Sequence, residues 1–328
     1  MKYGVSYFGN RILKHVKADM RELKQSGFDF VLHTYSEYDL KFREQTMGDI
    51  VKLSHDAGLE VWSNPWGVGN VFGGEPFSNF ASQNLFNACQ ILDDGNPTAI
   101  ACPNSPEFIE FMESWLFAVH KANVDTILWD EPHFHEQGFL SSVEGKWGCR
   151  CEYCQVKYEN DYDSQMPIVE TSDVKVFKKK SLLEFIARLA KRAKELGIKN
   201  VLYLTANLNP EDIPNIWADY FIMESIDIIS TGPYWQWAKE DIGRVQEYAE
   251  NIAKLSKTYN KEVQIWIQGF KILKGKETEV STAIDLVRKS GIKNIAVWGY
   301  EGCSQQSWVS CGNPELVWES ILSSIQNT

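Results

Sequence analysis

From residue 4 to residue 300, short apolar runs alternate with amphipathic stretches eight times over. Runs at 4–8, 28–33, 59–64, 126–130, 201–205, 226–230, 263–268 and 295–300 have strand length and are rich in β-branched and aromatic residues. Between most of them, residues 15–26, 47–57, 105–122, 178–196, 244–259 and 280–290 repeat apolar side chains at helical spacing. Several of these stretches stop at a glycine before the next strand, at Gly27, Gly58, Gly197 and Gly291. A helix ends readily at such a residue because glycine accepts left-handed backbone. Strands alternating with helices pair in parallel, and eight such units in 328 residues fit an α/β fold, the closed (β/α)8 TIM barrel, which takes about 250 residues plus insertions. No linker or low-complexity stretch divides the chain, so one domain over residues 1–328 is expected.

Two connections are too long to be simple turns, 66–98 after the third strand and 133–167 after the fourth. Both leave the C-terminal ends of their strands, where barrel enzymes build active sites. Within the first, Gly67-Val68-Gly69 and Gly73-Gly74 read as loop flexibility. The second carries Cys149-Arg150-Cys151-Glu152-Tyr153-Cys154, and a fourth cysteine, Cys102, precedes the fourth strand. Three thiols spaced C-x-C-x2-C cannot all pair with one another as disulfides, but they can converge on one tetrahedral ion. A closed four-thiolate site of Cys102, Cys149, Cys151 and Cys154 suits structural zinc and leaves no open position for catalysis. Residues 133–167 are therefore expected to form a zinc-binding loop. Cys89, Cys303 and Cys311 read as ordinary free thiols.

Charge excludes some partners. With 33 Lys and Arg against 44 Asp and Glu, the net charge is −11 and no basic run marks a nucleic-acid surface. No stretch reaches the roughly 20 apolar residues of a membrane span. Residues 1–7 enter a strand pattern directly, without the charged and apolar regions of a secretion signal. Clustered thiols suit a reducing compartment, so a cytoplasmic protein is expected, with neither nucleic acid nor membrane as partner. A homo-oligomer is left open.

Function in a barrel is read from the strand ends. Here they offer Tyr7, Asn10, His33, Tyr35, Glu37, Asn64, Trp66, Asp130, Glu131, His133, Asn207, Tyr234, Trp235, Trp266, Gln268, Trp298, Tyr300 and Glu301. The set lacks a strand-tip lysine for Schiff-base chemistry and the several histidines of a barrel metallohydrolase. Carboxyls beside aromatic rings suit glycoside hydrolysis, which needs an acid of raised pKa and usually a partner carboxylate, with rings for sugars to stack on. A carbohydrate substrate is expected. Glu131 is the acid/base candidate, its side chain projecting over the mouth, while strand alternation sends Asp130 to the opposite face. Candidate substrate contacts are Trp66, Asn64, His33, His133, Tyr234, Trp235, Gln268, Trp298 and Tyr300.

At these residues the chain resembles the clan of (β/α)8 glycosidases that includes glycoside hydrolase family 42, the zinc-bearing β-galactosidases. The resemblance rests on Cys102-Pro103-Asn104-Ser105-Pro106, then Trp129-Asp130-Glu131, then Cys149, Cys151 and Cys154, and it is clearest over roughly residues 1–160. It implies that the four cysteines hold zinc and that Glu131 is the acid/base. Two departures mark a distant relative. The Asn before the acid is replaced by Asp130, and the seventh-strand glutamate nucleophile is replaced by Gln268, whose amide cannot form a glycosyl ester.

Three mechanisms follow from these departures. Glu301 serves as nucleophile or base opposite Glu131, with a carboxyl separation of about 5–5.5 Å for retention or about 6.5–9.5 Å for inversion. Alternatively, Asp130 is the nucleophile. In the third, the substrate or a bound water attacks, positioned by Gln268. Two other functional classes compete: a carbohydrate-binding barrel without catalysis, and a hydrolase with a catalytic metal on Glu131, His133 and His135.

Overall fold

The computed structural model describes residues 1–135 and 145–326, so residues 136–144 of the expected zinc-binding loop lie outside the described residues. Ten strands are described: β1 (Lys2–Tyr7), β2 (Phe30–Thr34), β3 (Glu60–Asn64), β4 (Cys89–Ile91), β5 (Pro97–Ala101), β6 (Thr126–Asp130), β7 (Lys199–Leu204), β8 (Ile228–Thr231), β9 (Glu262–Gln268) and β10 (Asn294–Trp298). Eight of them close into a barrel in the order β1-β10-β9-β8-β7-β6-β3-β2, every neighbouring pair parallel. The expected TIM barrel is thus the observed fold. The remaining strands, β4 and β5, form an antiparallel hairpin inside the long connection that follows β3.

Strand alternation divides the core. Phe30, Leu32, Trp62, Leu128, Val201, Ile228, Trp266 and Ala296 fill the barrel interior, while the intervening residues pack outward on the helices. Gly4 makes this packing possible, because a Cβ there would lie 2.0 Å from the Phe30 ring. Phe30 in turn stacks on Trp62 at 4.1 Å. Lys2 closes the N-terminal end, its ammonium 5.4 Å and 5.5 Å from those two rings and paired with Glu60 at 2.7 Å.

The helix Pro106–Lys121 explains part of the Cys-Pro-Asn-Ser-Pro segment. Ser105 caps it by accepting from the Phe108 amide, and Pro106 takes the first turn, where its missing N–H costs nothing. No described helix is long and apolar enough to cross a membrane.

Candidate active site

The fourth barrel strand, β6, delivers the chemistry. Leu128 faces the barrel interior, so Asp130, two residues on, faces the mouth by the period of a strand. That is opposite to the expectation that Asp130 points away. Ordinary alternation would then turn Glu131 outward, but Glu131 adopts a left-handed backbone with φ 46°. This conformation is unfavourable for a residue with a Cβ, and such outliers gather at functional sites. Its result is that both carboxyls line one pocket of about 140 Å³, with Leu128, Trp66, Tyr203, Tyr234, Trp266 and Trp298 around them.

Gly73 and Gly74 form the wall beside the carboxyls, a closer role than loop flexibility. A Cβ on Gly73 would lie 3.3 Å from Asp130 Oδ2 and 3.4 Å from Glu131 Oε2. Its amide donates to the Asp130 carbonyl at 2.9 Å, and its carbonyl accepts from the Gly67 amide. Gly74, at φ 139°, has no room for a side chain against the Trp66 ring. Both acids therefore sit on one side of the pocket, pressed against backbone.

Electrostatics separates these acids from surface carboxylates. Burial raises Asp130 from 3.8 to about 7; the Glu75 charge adds to this, while the hydrogen bond from Asn64 opposes it. Burial also raises Glu131 from 4.5 to about 8, reinforced by the neighbouring Asp130 and opposed by a hydrogen bond with Thr205. Tyr203 and Tyr234 hydrogen-bond each other, and burial holds both phenols protonated. Among the described residues, Trp266 Nε1 and Asn64 Oδ1 are buried without a protein partner. Such groups are costly unless a ligand or water satisfies them. The pocket thus offers a Glu131 carboxyl protonated at neutral pH, a second carboxyl of raised pKa in Asp130, phenol donors and three indole faces.

Not every expected residue joins this group. Asp130, Glu131, Trp66, Tyr234 and Trp298 line the pocket, and Asn64 reaches it by donating to Asp130 at 3.0 Å. His33 faces the helix layer, where Nε2 meets Ser54 Oγ at 2.9 Å, and its burial holds it neutral with a pKa lowered to about 3. Trp235 is buried and donates to Glu279. Gln268 spends its amide internally, accepting from the Gln236 and Trp237 amides and donating to the Phe270 carbonyl. His133 Nδ1 bonds the Glu131 carbonyl at 2.7 Å.

Glu301 and Tyr300 line a separate cavity of about 600 Å³ with Tyr7, Asp19 and His15. Phe8 and Trp298, stacked at 5.5 Å, stand between that cavity and the acid pair. Tyr203 and Trp266 are pocket residues absent from the expected contacts. Inward parity two residues from Val201 and Gln268 was the available signal for them.

The four cysteines do converge. Cys102, Cys149, Cys151 and Cys154 are buried with their sulfurs within 4.8 Å of one another. Four sulfurs at zinc-thiolate length from one centre would lie about 3.8 Å apart, and the Cys102–Cys154 and Cys102–Cys151 pairs stand at 3.5 Å. The Asn104 amide donates to Cys102 Sγ, the Asn104 side chain to Cys154 Sγ, and the Cys151 amide to Cys149 Sγ. Donors aimed at sulfur suit thiolate ligands. Hydrogen bonds from the neighbouring thiols, Cys102 first, lower the Cys151 pKa, while burial raises Cys102 and Cys154. This group could hold a metal ion. Among the described residues no other set of His, Cys, Asp and Glu, that of Glu131, His133 and His135 included, converges in this way.

No protein-family model matches the chain, and no curated protein matches it. Solved structures do match along its length. The endo-1,4-β-mannanase from Rhizomucor miehei is 10% identical, with 100% of this chain and 95% of that chain covered and a TM-score of 0.65. The PgaB (BpsB) glycoside hydrolase domain from Bordetella bronchiseptica is 11% identical over 93% of this chain and 96% of that one, with a TM-score of 0.61. A D-psicose 3-epimerase solved in the presence of D-fructose is 12% identical over 100% and 98%, with a TM-score of 0.54. These likenesses show a barrel fold of the kind glycoside hydrolases and sugar epimerases share. They do not single out the zinc-bearing β-galactosidases.

Proposed function

We propose that this barrel is a glycoside hydrolase that cleaves O-glycosidic bonds, with Glu131 as the general acid and Asp130 as its partner. The observation that carries the reading is the pair of burial-raised carboxyls sharing one aromatic-lined pocket at the C-terminal mouth. A carboxyl titrating near 8 is protonated at neutral pH and can give its proton to a leaving oxygen. Trp66, Trp266 and Trp298 offer faces on which a sugar ring can stack.

Shared placement against Gly73 constrains the second step. Proton donation and attack on the anomeric carbon come from different sides of the ring, so two acids on one wall do not divide those roles as acid and in-line nucleophile. Asp130 is better suited to orient a substituent of the substrate itself that attacks the anomeric carbon, before water opens the intermediate. Glu301, in its separate cavity, is not needed for this scheme.

The four cysteines are proposed to hold structural zinc, which soft thiolate ligands and tetrahedral spacing favour. Its role would be mechanical. Gln90 on β4 accepts from the His135 amide, Arg150 bonds Ile91, and Asp93 bonds Trp147. The metal-binding segment is thereby tied to both loops that flank Glu131.

Sugar release from a glycoside panel tests the proposal. Turnover that disappears in Glu131→Gln with fold and metal content retained supports it. A sugar-binding barrel without catalysis is the second reading, favoured by the one-sided placement of the acids. It is distinguished by sugar binding with no turnover on any glycoside.

A further inference from the structure

Beyond the pocket, the same rim carries two indoles facing water. Trp237 and Trp308 are 48% and 65% exposed, and they come from the loops after β8 and β10. Lys271, from the loop after β9, lies between them. Its ammonium is 3.6 Å from the Trp308 ring centre and 4.7 Å from that of Trp237. The two indoles meet edge to face at 5.7 Å. Large apolar surface left exposed at one spot generally marks an interaction site.

This clamp is held in place and joined to the mouth. Gln268 fastens two of its parts, accepting from the Trp237 amide at 3.3 Å and donating to the Phe270 carbonyl at 2.9 Å. The Lys271 amide donates to the Val309 carbonyl at 2.9 Å, which fixes the loop bearing Trp308. Phe270 lies 5.9 Å from Trp237 and 5.0 Å from Tyr234, and Tyr234 lines the acid pocket. Ring contacts through the buried Phe270 therefore join Tyr234, at the acid pocket, to Trp237 and Trp308 on the rim. Among the described residues, Lys271 makes no ion pair within 4.0 Å, so its N–H donors face ring surfaces.

We propose that Trp237 and Trp308, with Lys271 between them, form a second sugar-ring subsite on the rim. Pyranose rings present apolar C–H faces to indoles and a girdle of hydroxyls to an ammonium donor. The occupant is a further unit of the glycan held at Asp130 and Glu131, so the substrate is a chain of sugars rather than a monosaccharide glycoside. The inference rests on the glycosidase reading for that occupant, while binding at the rim can be measured without turnover.

Titration calorimetry with gluco-, manno-, galacto- and N-acetylglucosamine oligosaccharides, from dimer to hexamer, tests it. Glu131→Gln protein serves as the binding partner so that chains stay intact. Affinity is expected to rise with chain length for at least one series. Trp308→Ala and Trp237→Ala, in the same background, should each weaken the longer chains about tenfold and leave the dimer unchanged. Phe117→Ala, an exposed aromatic on the helix Pro106–Lys121, should change nothing. Equal affinity of long chains for the parent and both Trp variants overturns the subsite, as does failure of every chain to bind. Persistent turnover in Glu131→Gln would overturn the assignment of Glu131 as the general acid instead, and the Trp comparison in wild-type protein would then decide the rim site alone.

Discussion

Replacing Glu131 by Gln should remove activity and make the protein more stable at alkaline pH. In the folded chain, Glu131 titrates near 8 instead of 4.5, chiefly because it is buried. Between those values the folded protein keeps a proton that the unfolded chain has released, so stability falls as pH rises through this window. Each pH unit between the two values is worth about 1.4 kcal/mol, which brings the full destabilisation above pH 8 to about 5 kcal/mol. Partial exposure of the carboxyl to water makes that an upper limit. Gln keeps the side-chain shape and can still accept from Thr205, but it never ionises. Urea unfolding of wild type and variant should therefore give similar stabilities at pH 4.5. At pH 9 the variant should be the more stable by an amount approaching ~5 kcal/mol, while turnover drops by about 10²–10⁴-fold. Groups remote from Glu131 titrate alike in both proteins and cancel in the difference, whereas Asp130, whose charge raises the Glu131 pKa, contributes to it, so the difference reports the pair. A stability difference that stays constant with pH, or reverses sign, would refute the assignment of Glu131 as a desolvated acid.

Other substitutions probe separate parts of the argument. Cys151→Ser should abolish a metal content of about one zinc per chain, measured by elemental analysis, and lower thermal stability; retention of the metal would count against the four-thiolate site. Gly4→Ala should destabilise by about 1–3 kcal/mol or prevent folding, because the added methyl meets the Phe30 ring inside the closed barrel. Unchanged chemical denaturation would contradict that packing. Gln268→Glu loses the donor to the Phe270 carbonyl and should cost about 1–3 kcal/mol without improving turnover. A gain in rate would instead restore seventh-strand nucleophile chemistry to consideration.

The barrel was legible because its signal is repetitive. Each strand and helix is short, but eight repeats of one pattern, punctuated by Gly27, Gly58, Gly197 and Gly291, leave little freedom of topology. What periodicity did not disclose was structure inside the long loops. Strands β4 and β5 are three and five residues long, too short for alternation to register, and the helix Glu152–Tyr162 is hidden because its N-cap, Cys151, belongs to the cysteine group. Those cysteines were themselves readable, since thiol spacing carries a geometric requirement that few other residues share. Ser105 and Pro106 were readable as family-like sequence, yet their physical work is to start a helix.

At the candidate site, the pattern that predicts strands misleads by one residue. Alternation places Asp130 and Glu131 on opposite faces, and no inspection of side-chain types reveals that a single left-handed φ of 46° reunites them. The glycines opposite were misleading for the same reason: without a Cβ they look like flexibility, whereas Gly73 is where the two carboxyls press against backbone. Gln268 presents the converse case. Its position suggested missing catalysis, but a carboxylate could not both accept from the Gln236 and Trp237 amides and donate to Phe270. The amide is the group that this buried junction requires. The seventh strand therefore organises the rim that carries Trp237 and Lys271, and the two buried carboxyls of raised pKa stand at the end of β6. Under the proposed function, a barrel arranged in this way separates the grip on a sugar chain from the proton transfer. On this reasoning, losses at the rim and losses at Glu131 should appear in different measurements, affinity for long chains in one case and turnover of every glycoside in the other.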